Sequence, residues 1–259
     1  MLVQVQATQG SAPRDAGTWM AVFVSEVIGT IGGGHLEFQA IERARGMLAS
    51  GSPSELGVPP QKQVEHQRFA LGPSLGQCCG GVVQLQFEGV SAADIPALSQ
   101  RLTAGRMPVA LFGGGHVGHA LAEVLARLPV ALHWIDSRGG IFPAHLTPNL
   151  VCEHSEPVQD AVKDLAPGAR VLIMSFSHAE DLDILAQCLL RQRTRADLPF
   201  IGLIGSKTKW ATFKHRLEAR GFSAEELAHV TCPIGVPGVE GKEPEVIAVA
   251  VAAQLLQGR

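Results

Sequence analysis

Hydrophobic and polar positions follow two rhythms along the chain. Within residues 2–30, short β-prone runs, VQVQA and TWMAVFV, flank the turn-rich GSAPRDAG. The helix-like HLEFQAIERARGML follows the glycine run Gly32–Gly34. After a Pro/Gly/Ser stretch at 50–60 come two more strand patterns, KQVEHQRFAL and GVVQLQF, joined by GPSLGQCCG, which is too long for a two-residue hairpin turn. This half predicts a mixed α/β domain on a largely antiparallel sheet, residues 1–90. Residues 91–106, with Pro96 and Gly105, predict a linker helix.

From 107 onward the rhythm changes, and strands alternate with helices. MPVALF predicts a strand, and Val117, Ala120, Leu121, Val124, Leu125 and Leu128 then keep helical spacing. VALHWID, NLVC, ARVLIMSF and FIGLIG predict further strands. SEPVQDAVKDL, the segment from Asp181 to Arg191 and residues 206–219 predict helices. Ser223 with Glu226 makes a capping box before a short helix, and a last helix starts at Pro244. That last helix is apolar nearly all round, which predicts burial. The alternation predicts a Rossmann-like, doubly wound parallel sheet over residues 107–259.

Composition narrows the function classes. At 259 residues, 46% hydrophobic and with a net charge of −3, the chain predicts a folded protein without an electrostatic footprint for nucleic acid. Its longest apolar run, from Val246 to Ala253, is too short to span a bilayer, so no membrane partner is expected. The five cysteines, an odd number spread over a long chain, predict free thiols in a reducing compartment, and no export signal opens the chain. A cytoplasmic location is the expectation.

The densest chemistry lies in LFGGGHVGHA. Gly113, Gly115 and Gly118 fit G-x-G-x-x-G between a strand and a helix, and Asp136 ends the next strand 18 residues beyond Gly118, close to the ~20 expected of a ribose-binding acid. His116 lies inside the turn, as a helix N-terminal residue or a phosphoryl contact, and Arg138 could meet an extra phosphate. Gly205, Ser206 and Lys207, with Lys209 nearby, form a second candidate anion site at a helix start. His178 and Asp181 open another helix, as caps or as ligand contacts. In the first half, Gly33 and Gly34 could present backbone amides to an anion, and Arg14 could add charge-assisted bonds.

Cys78 and Cys79, between Gly76 and Gly80-Gly81, have no C-x-x-C partner, which argues against structural zinc. They are either two small buried residues or a soft-metal or sulfur contact, with molybdenum as the candidate metal. GVPGVEGKE resembles a P-loop only loosely: five residues separate Gly235 from Gly241, and Glu243 stands where Ser or Thr should hold magnesium. A short-chain dehydrogenase needs a tyrosine acid, and this chain has no tyrosine. No catalytic residue is assigned. An NAD(P)-binding oxidoreductase or redox sensor stays open on Asp136 and Arg138, as does a scaffold without a ligand.

Together, GSAPRDAG, GTIGGGHLE, LGQCCGG, LFGGGHVGHALA, WIDSR, GLIGSKTK and CPIGVPGVEGKEPEVIAVAVAAQLL resemble the XdhC/CoxI family, from residue 3 to the C-terminus. The resemblance implies an N-terminal XdhC/CoxI domain followed by a Rossmann-like XdhC domain. It further implies an accessory protein, not an enzyme. Such a chaperone binds molybdenum cofactor in its molybdopterin form, supports sulfuration by a cysteine desulfurase, and delivers the cofactor to the molybdenum subunit of xanthine dehydrogenase. A homodimer is expected. Family members begin with a helix ahead of the first strand, whereas this chain starts almost at that strand, which predicts a late-assigned start or a truncated first domain.

Overall fold

The computed structural model describes residues 1–50, 64–72, 80–144 and 149–257, and they fall into two compact units, Met1–Leu102 and Thr103–Arg259. Among the described residues the first unit holds β1 (Leu2–Gln9), β2 (Trp19–Val22), β3 (Val27–Gly29), α1 (Gly34–Ser50), β4 (Val64–Ala70) and β5 (Val82–Glu88). The strands form one antiparallel sheet in the order β3-β2-β1-β5-β4. Alternation along β1 and β5 sends Val3, Val5, Val83, Leu85 and Phe87 to one face. That face is covered by Leu36, Ala40 and Ala44 of α1, at helical spacing. Residues 91–106 contain a 3-10 turn at Ala92–Asp94 and a helix, α2 (Ile95–Thr103).

The second unit holds β6 (Met107–Phe112), α3 (His116–Leu125), β7 (Val130–Asp136), β8 (Leu150–His154), β9 (Arg170–Ile173) and α4 (His178–Arg195). It continues with β10 (Phe200–Leu203), α5 (Lys207–Ala219), α6 (Ala224–Leu227), β11 (Val230–Thr231) and α7 (Pro244–Gln257). All paired strands are parallel, in the order β11-β10-β9-β6-β7-β8. Counted from β6, this is the strand order of dinucleotide-binding folds, with the direction of winding reversing between β6 and β9. The central strand is buried on both faces, as parallel strands are. Val109 and Leu111 pack with α3 and α7 on one side, and Ala110 and Phe112 pack with α4 and α5 on the other. The fold class is thus the mixed α/β one expected, an antiparallel N-terminal sheet and a parallel Rossmann-like one.

Local departures have local reasons. SEPVQDAVKDL does not form an α-helix; Val158–Asp164 is a 3-10 helix between Pro157 and the Ala166-Pro167 step. Seven residues nucleate an α-helix poorly, and a residue before proline avoids the α region. Strand β11, two residues long, is too short to show a period. The capping box forms as expected, with Ser223 accepting from the Glu226 amide and Glu226 from the Ser223 amide. Helix α7 buries Ala248, Val251, Ala252 and Leu255 but leaves Val249 exposed. Among the described residues no helix is long and apolar enough to cross a membrane.

Candidate functional site

In an open parallel sheet, ligands bind beyond the carboxyl ends of the strands, where the winding reverses. Here that place is the turn after β6, against the end of β9. Gly113 has φ +121°, and a Cβ on it would lie 1.9 Å from the Met174 carbonyl oxygen, so only glycine lets the turn press against β9. Its amide donates to the Ile135 carbonyl (2.9 Å), and its own carbonyl accepts from the Trp134 indole (2.9 Å). Gly118 is buried, and a Cβ there would lie 2.1 Å from the Gly113 oxygen. These two glycines are required by packing.

Gly115 is different. It is the N-cap of α3 with φ −79°, an ordinary conformation, and a Cβ on it would meet nothing within 4 Å. No side chain caps the helix there, whereas Ser177 caps α4, Ser206 caps α5 and Ser223 caps α6. His116, the first residue of α3, is exposed. The turn therefore offers backbone amides, the positive end of a helix dipole and open room at one point. That arrangement suits a phosphate.

The acid answering the turn is fully engaged. Asp136 is buried, and its carboxylate accepts from the Gly114 amide (2.6 Å), the Arg138 amide (2.8 Å) and both arms of the Arg138 guanidinium (2.9 Å each). Burial alone would raise its pKa. The Arg138 side chain, the two amides and the guanidinium charge outweigh that and hold it below the ordinary carboxylate value. Arg138 also lies over the exposed Phe176 ring, 4.6 Å from its centre.

A second polar knot ties β9 to β10. Asp181, buried in the first turn of α4, accepts from the Ser175 amide (2.8 Å) and hydroxyl (2.7 Å) and from Lys209 Nζ (2.6 Å). Lys209 also donates to the Ile204 carbonyl (2.9 Å). Glu180, beside it, accepts from the Ser137 hydroxyl (2.8 Å) and the Phe176 amide (3.1 Å), joining the β7 and β9 loops. Of the second candidate anion site, Ser206 caps α5 by accepting from the Lys209 amide, and Lys207 is exposed. A Cβ on Gly205 would lie 2.6 Å from Lys209 Cδ. The inward lysine is thus Lys209, not Lys207. Sequence spacing could not pair it with Asp181, which lies on another helix. His178 opens α4 with its ring edge-on to Phe213 at 6.1 Å.

In the first unit three motifs converge. A Cβ on Gly32 would lie 2.5 Å from Pro13 Cβ and 3.1 Å from Arg14 Cγ, and one on Gly81 would lie 2.2 Å from the Ser11 carbonyl oxygen. Arg14 is exposed beside this junction. The Gly33 amide, offered by the sequence to an anion, instead donates to Glu37 (3.1 Å), which also accepts from the Ile31 amide (2.9 Å) and Thr30 hydroxyl (2.5 Å). Burial would raise the Glu37 pKa, but these donors hold it below the ordinary value. The chain's own carboxylate fills that turn at Gly33. Gly34, at φ +66°, begins α1.

Cys78 and Cys79 lie outside the described residues. Burial pushes the Cys188 thiol up to about 12 and raises those of Cys152 and Cys232, so none of these three offers a ready thiolate. Among the described residues no group of three His, Cys, Asp or Glu side chains could hold a metal ion.

The family model of the XdhC Rossmann domain matches residues 109–255, and that of the XdhC and CoxI family matches residues 1–58. The chain is 26% identical over 262 aligned residues to the uncharacterized protein YqeB of Escherichia coli (strain K12), which covers 99% of this chain but 43% of that relative. It thus spans less than half the length of that protein. A crystal structure from Bacillus halodurans, described as a xanthine dehydrogenase, superposes with a TM-score of 0.69 at 18% identity, covering 99% of this chain and 90% of the other. At that identity the likeness speaks for the fold. With its Rossmann domain matched from within β6 to the last turn of α7, the chain belongs to the XdhC and CoxI family.

Proposed function

We propose that the chain is an accessory factor for xanthine dehydrogenase that binds molybdenum cofactor, shields it and passes it on. The observation that carries this reading is Gly115: open space at an uncapped helix start, at the reversal point of the sheet, with a glycine that packing does not require. A terminal phosphate fits there, held by amides and the helix dipole rather than by a covalent bond. Such contacts are strong enough to protect a ligand and can be released without chemistry. When bound, the cofactor supplies its metal dithiolene, the chemistry of the recipient enzyme. The family membership supports the accessory role, with the molybdenum subunit of xanthine dehydrogenase and a cysteine desulfurase as partners and a cytoplasmic homodimer as the working form.

The test is to purify the wild-type chain and Gly115→Val from a molybdenum-replete host and measure bound molybdenum and pterin. We expect cofactor with the wild type and a loss of tenfold or more in the variant, about the value of one or two charge-assisted hydrogen bonds. Its melting temperature should stay close to wild type. Equal cofactor content in both proteins would sink the phosphate role of the turn.

The sulfur-handling part of the proposal belongs to Cys78 and Cys79. Serine at both positions replaces soft donors with hard, poorly ionised ones. Xanthine dehydrogenase matured with that variant should contain molybdenum but show low activity, recovered by chemical resulfuration. Full activity without resulfuration would remove the pair from sulfur handling.

A further inference from the structure

We infer that the outer face of α5 docks an acidic surface of a protein partner, the one that receives the ligand. This rests on the accessory role proposed above. In α5, Lys207, Lys209, Lys214 and Arg216 stand against a single acid, Glu218, although the whole chain carries a net charge of −3. Phe213 and Leu217 face the core and Lys209 turns to Asp181, while Lys207, Lys214 and Arg216 are exposed. Basic residues close by have countercharges, Arg193 with Glu226 and Arg220 with Asp183. Among the described residues Lys207, Lys214 and Arg216 have none.

The fold does not ask for these charges. Lys207 lies in the first turn, where the helix dipole opposes a cation. Helices α1, α4, α6 and α7 each carry an acid in that place. Lys207 and Lys214, seven residues apart, share one strip of the helix. The exposed positions between them are small: Thr208, Ala211 and Thr212, the last with its hydroxyl turned back to the Thr208 carbonyl (3.2 Å). A partner can approach closely at the centre of this face, with cations at both ends to meet its carboxylates. A protein fits better than nucleic acid or an anionic membrane. An extended polyanion is repelled by a chain of net negative charge. Moreover, α5 exposes no large apolar or aromatic side chain to stack on bases or enter a bilayer.

The position of α5 suits a hand-over. Its first turn follows β10 at the carboxyl edge of the sheet, the edge that also carries the turn after β6. Lys209 ties that first turn to Asp181, which holds Ser175, the residue after the Met174 that Gly113 presses against. A partner seated on α5 lies beside the crevice from which a ligand would leave.

The experiment measures surface plasmon resonance between the full chain and cofactor-free xanthine dehydrogenase purified from a molybdenum-starved host. Wild type should bind, with an association rate that falls about tenfold between about 50 and about 300 mM salt. Lys207→Glu, Lys214→Glu and Arg216→Glu together should weaken binding at least about thirtyfold, mostly through the association rate, at an unchanged melting temperature. If the glutamates lower that temperature, alanine at the same three positions is read instead, with about a tenfold loss expected. Arg127→Glu, Lys163→Glu and Lys242→Glu together alter net charge equally at exposed positions outside α5 and should bind within about threefold of wild type. Undiminished binding by the folded α5 variant would overturn the docking face and leave the accessory role standing. Equal losses in both triple variants would do the same, tracing the effect to net charge. No binding by wild type at low salt would overturn the role and the face together. Wild type binding duplex DNA or phosphatidylserine vesicles as tightly as the enzyme, with the same loss in the α5 variant, would overturn the choice of a protein. A dimer in sedimentation that only the α5 variant breaks would give the face to a second copy of the chain instead.

Discussion

Gly113→Ala is expected to cost the second unit at least about 4 kcal/mol, a large part of the stability of an ordinary domain. The methyl group would enter 1.9 Å from the Met174 carbonyl oxygen and 2.5 Å from its carbon, and φ +121° suits glycine alone. Neither neighbour can yield cheaply, because Met174 follows β9 in the middle of the sheet and its amide donates to the Phe112 carbonyl (2.8 Å). For a unit of this size the expected drop in melting temperature is about 8 °C or more, or failure to accumulate as soluble protein. Gly115→Ala, two residues on, should stay within about 1 kcal/mol of wild type, since its backbone is ordinary and its surroundings open. Thermal melts of the two variants make the comparison. A Gly113→Ala protein melting within about 2 °C of wild type would mean that the turn does not press on β9 as described.

Asp181→Ala is the second large effect, expected at about 3–5 kcal/mol, because removing one member of a buried pair strands the other. Lys209, with its side chain 11% exposed, would lose its countercharge, and the Ser175 amide and hydroxyl would lose their acceptor. Adding Lys209→Met removes the stranded ammonium and should recover much of the loss, since apolar replacement of a buried pair is often close to neutral. The exposed Arg220–Asp183 pair is the control, its side chains 45% and 44% exposed, and Asp183→Ala should cost no more than about 1 kcal/mol. Denaturant melts of the two single variants and the double variant measure the coupling. Strictly additive losses would show that Asp181 and Lys209 do not act as a pair.

Both predictions concern features with very different visibility in the sequence. Gly113 is visible because the glycine spacing, the apolar run before it and the helical spacing after it are all local. The same holds for the capping box at Ser223 and for the alternation that placed β6 through α5, the segment 155–165 apart. The knot of Ser175, Asp181 and Lys209 leaves no such trace. Its members belong to the β9 loop, α4 and α5, and no periodicity relates them. Sequence spacing offered Gly205 and Ser206 at a helix start, with the charges of Lys207 and Lys209, as one anion site; folding turns Lys209 inward, to Asp181 and the Ile204 carbonyl.

The sequence by itself determined the two halves, the antiparallel and parallel sheets, the glycine turn and the acid placed after it. Those follow from side-chain period and backbone freedom, which act over a few residues. Only the tertiary structure decided what each polar group faces. Asp136 has the right spacing for a ribose, yet Arg138, Gly114 and Ile141 use up its lone pairs and the room beside it. Gly33 lies in a run suited to an anion, yet Glu37 from the following helix already accepts its amide. Gly115 carries the same letter as its neighbours but alone combines an ordinary φ with open space at the helix start. Whether a donor or acceptor is free for a ligand depends on which loops the fold brings against it, and burial makes each such pairing costly to break.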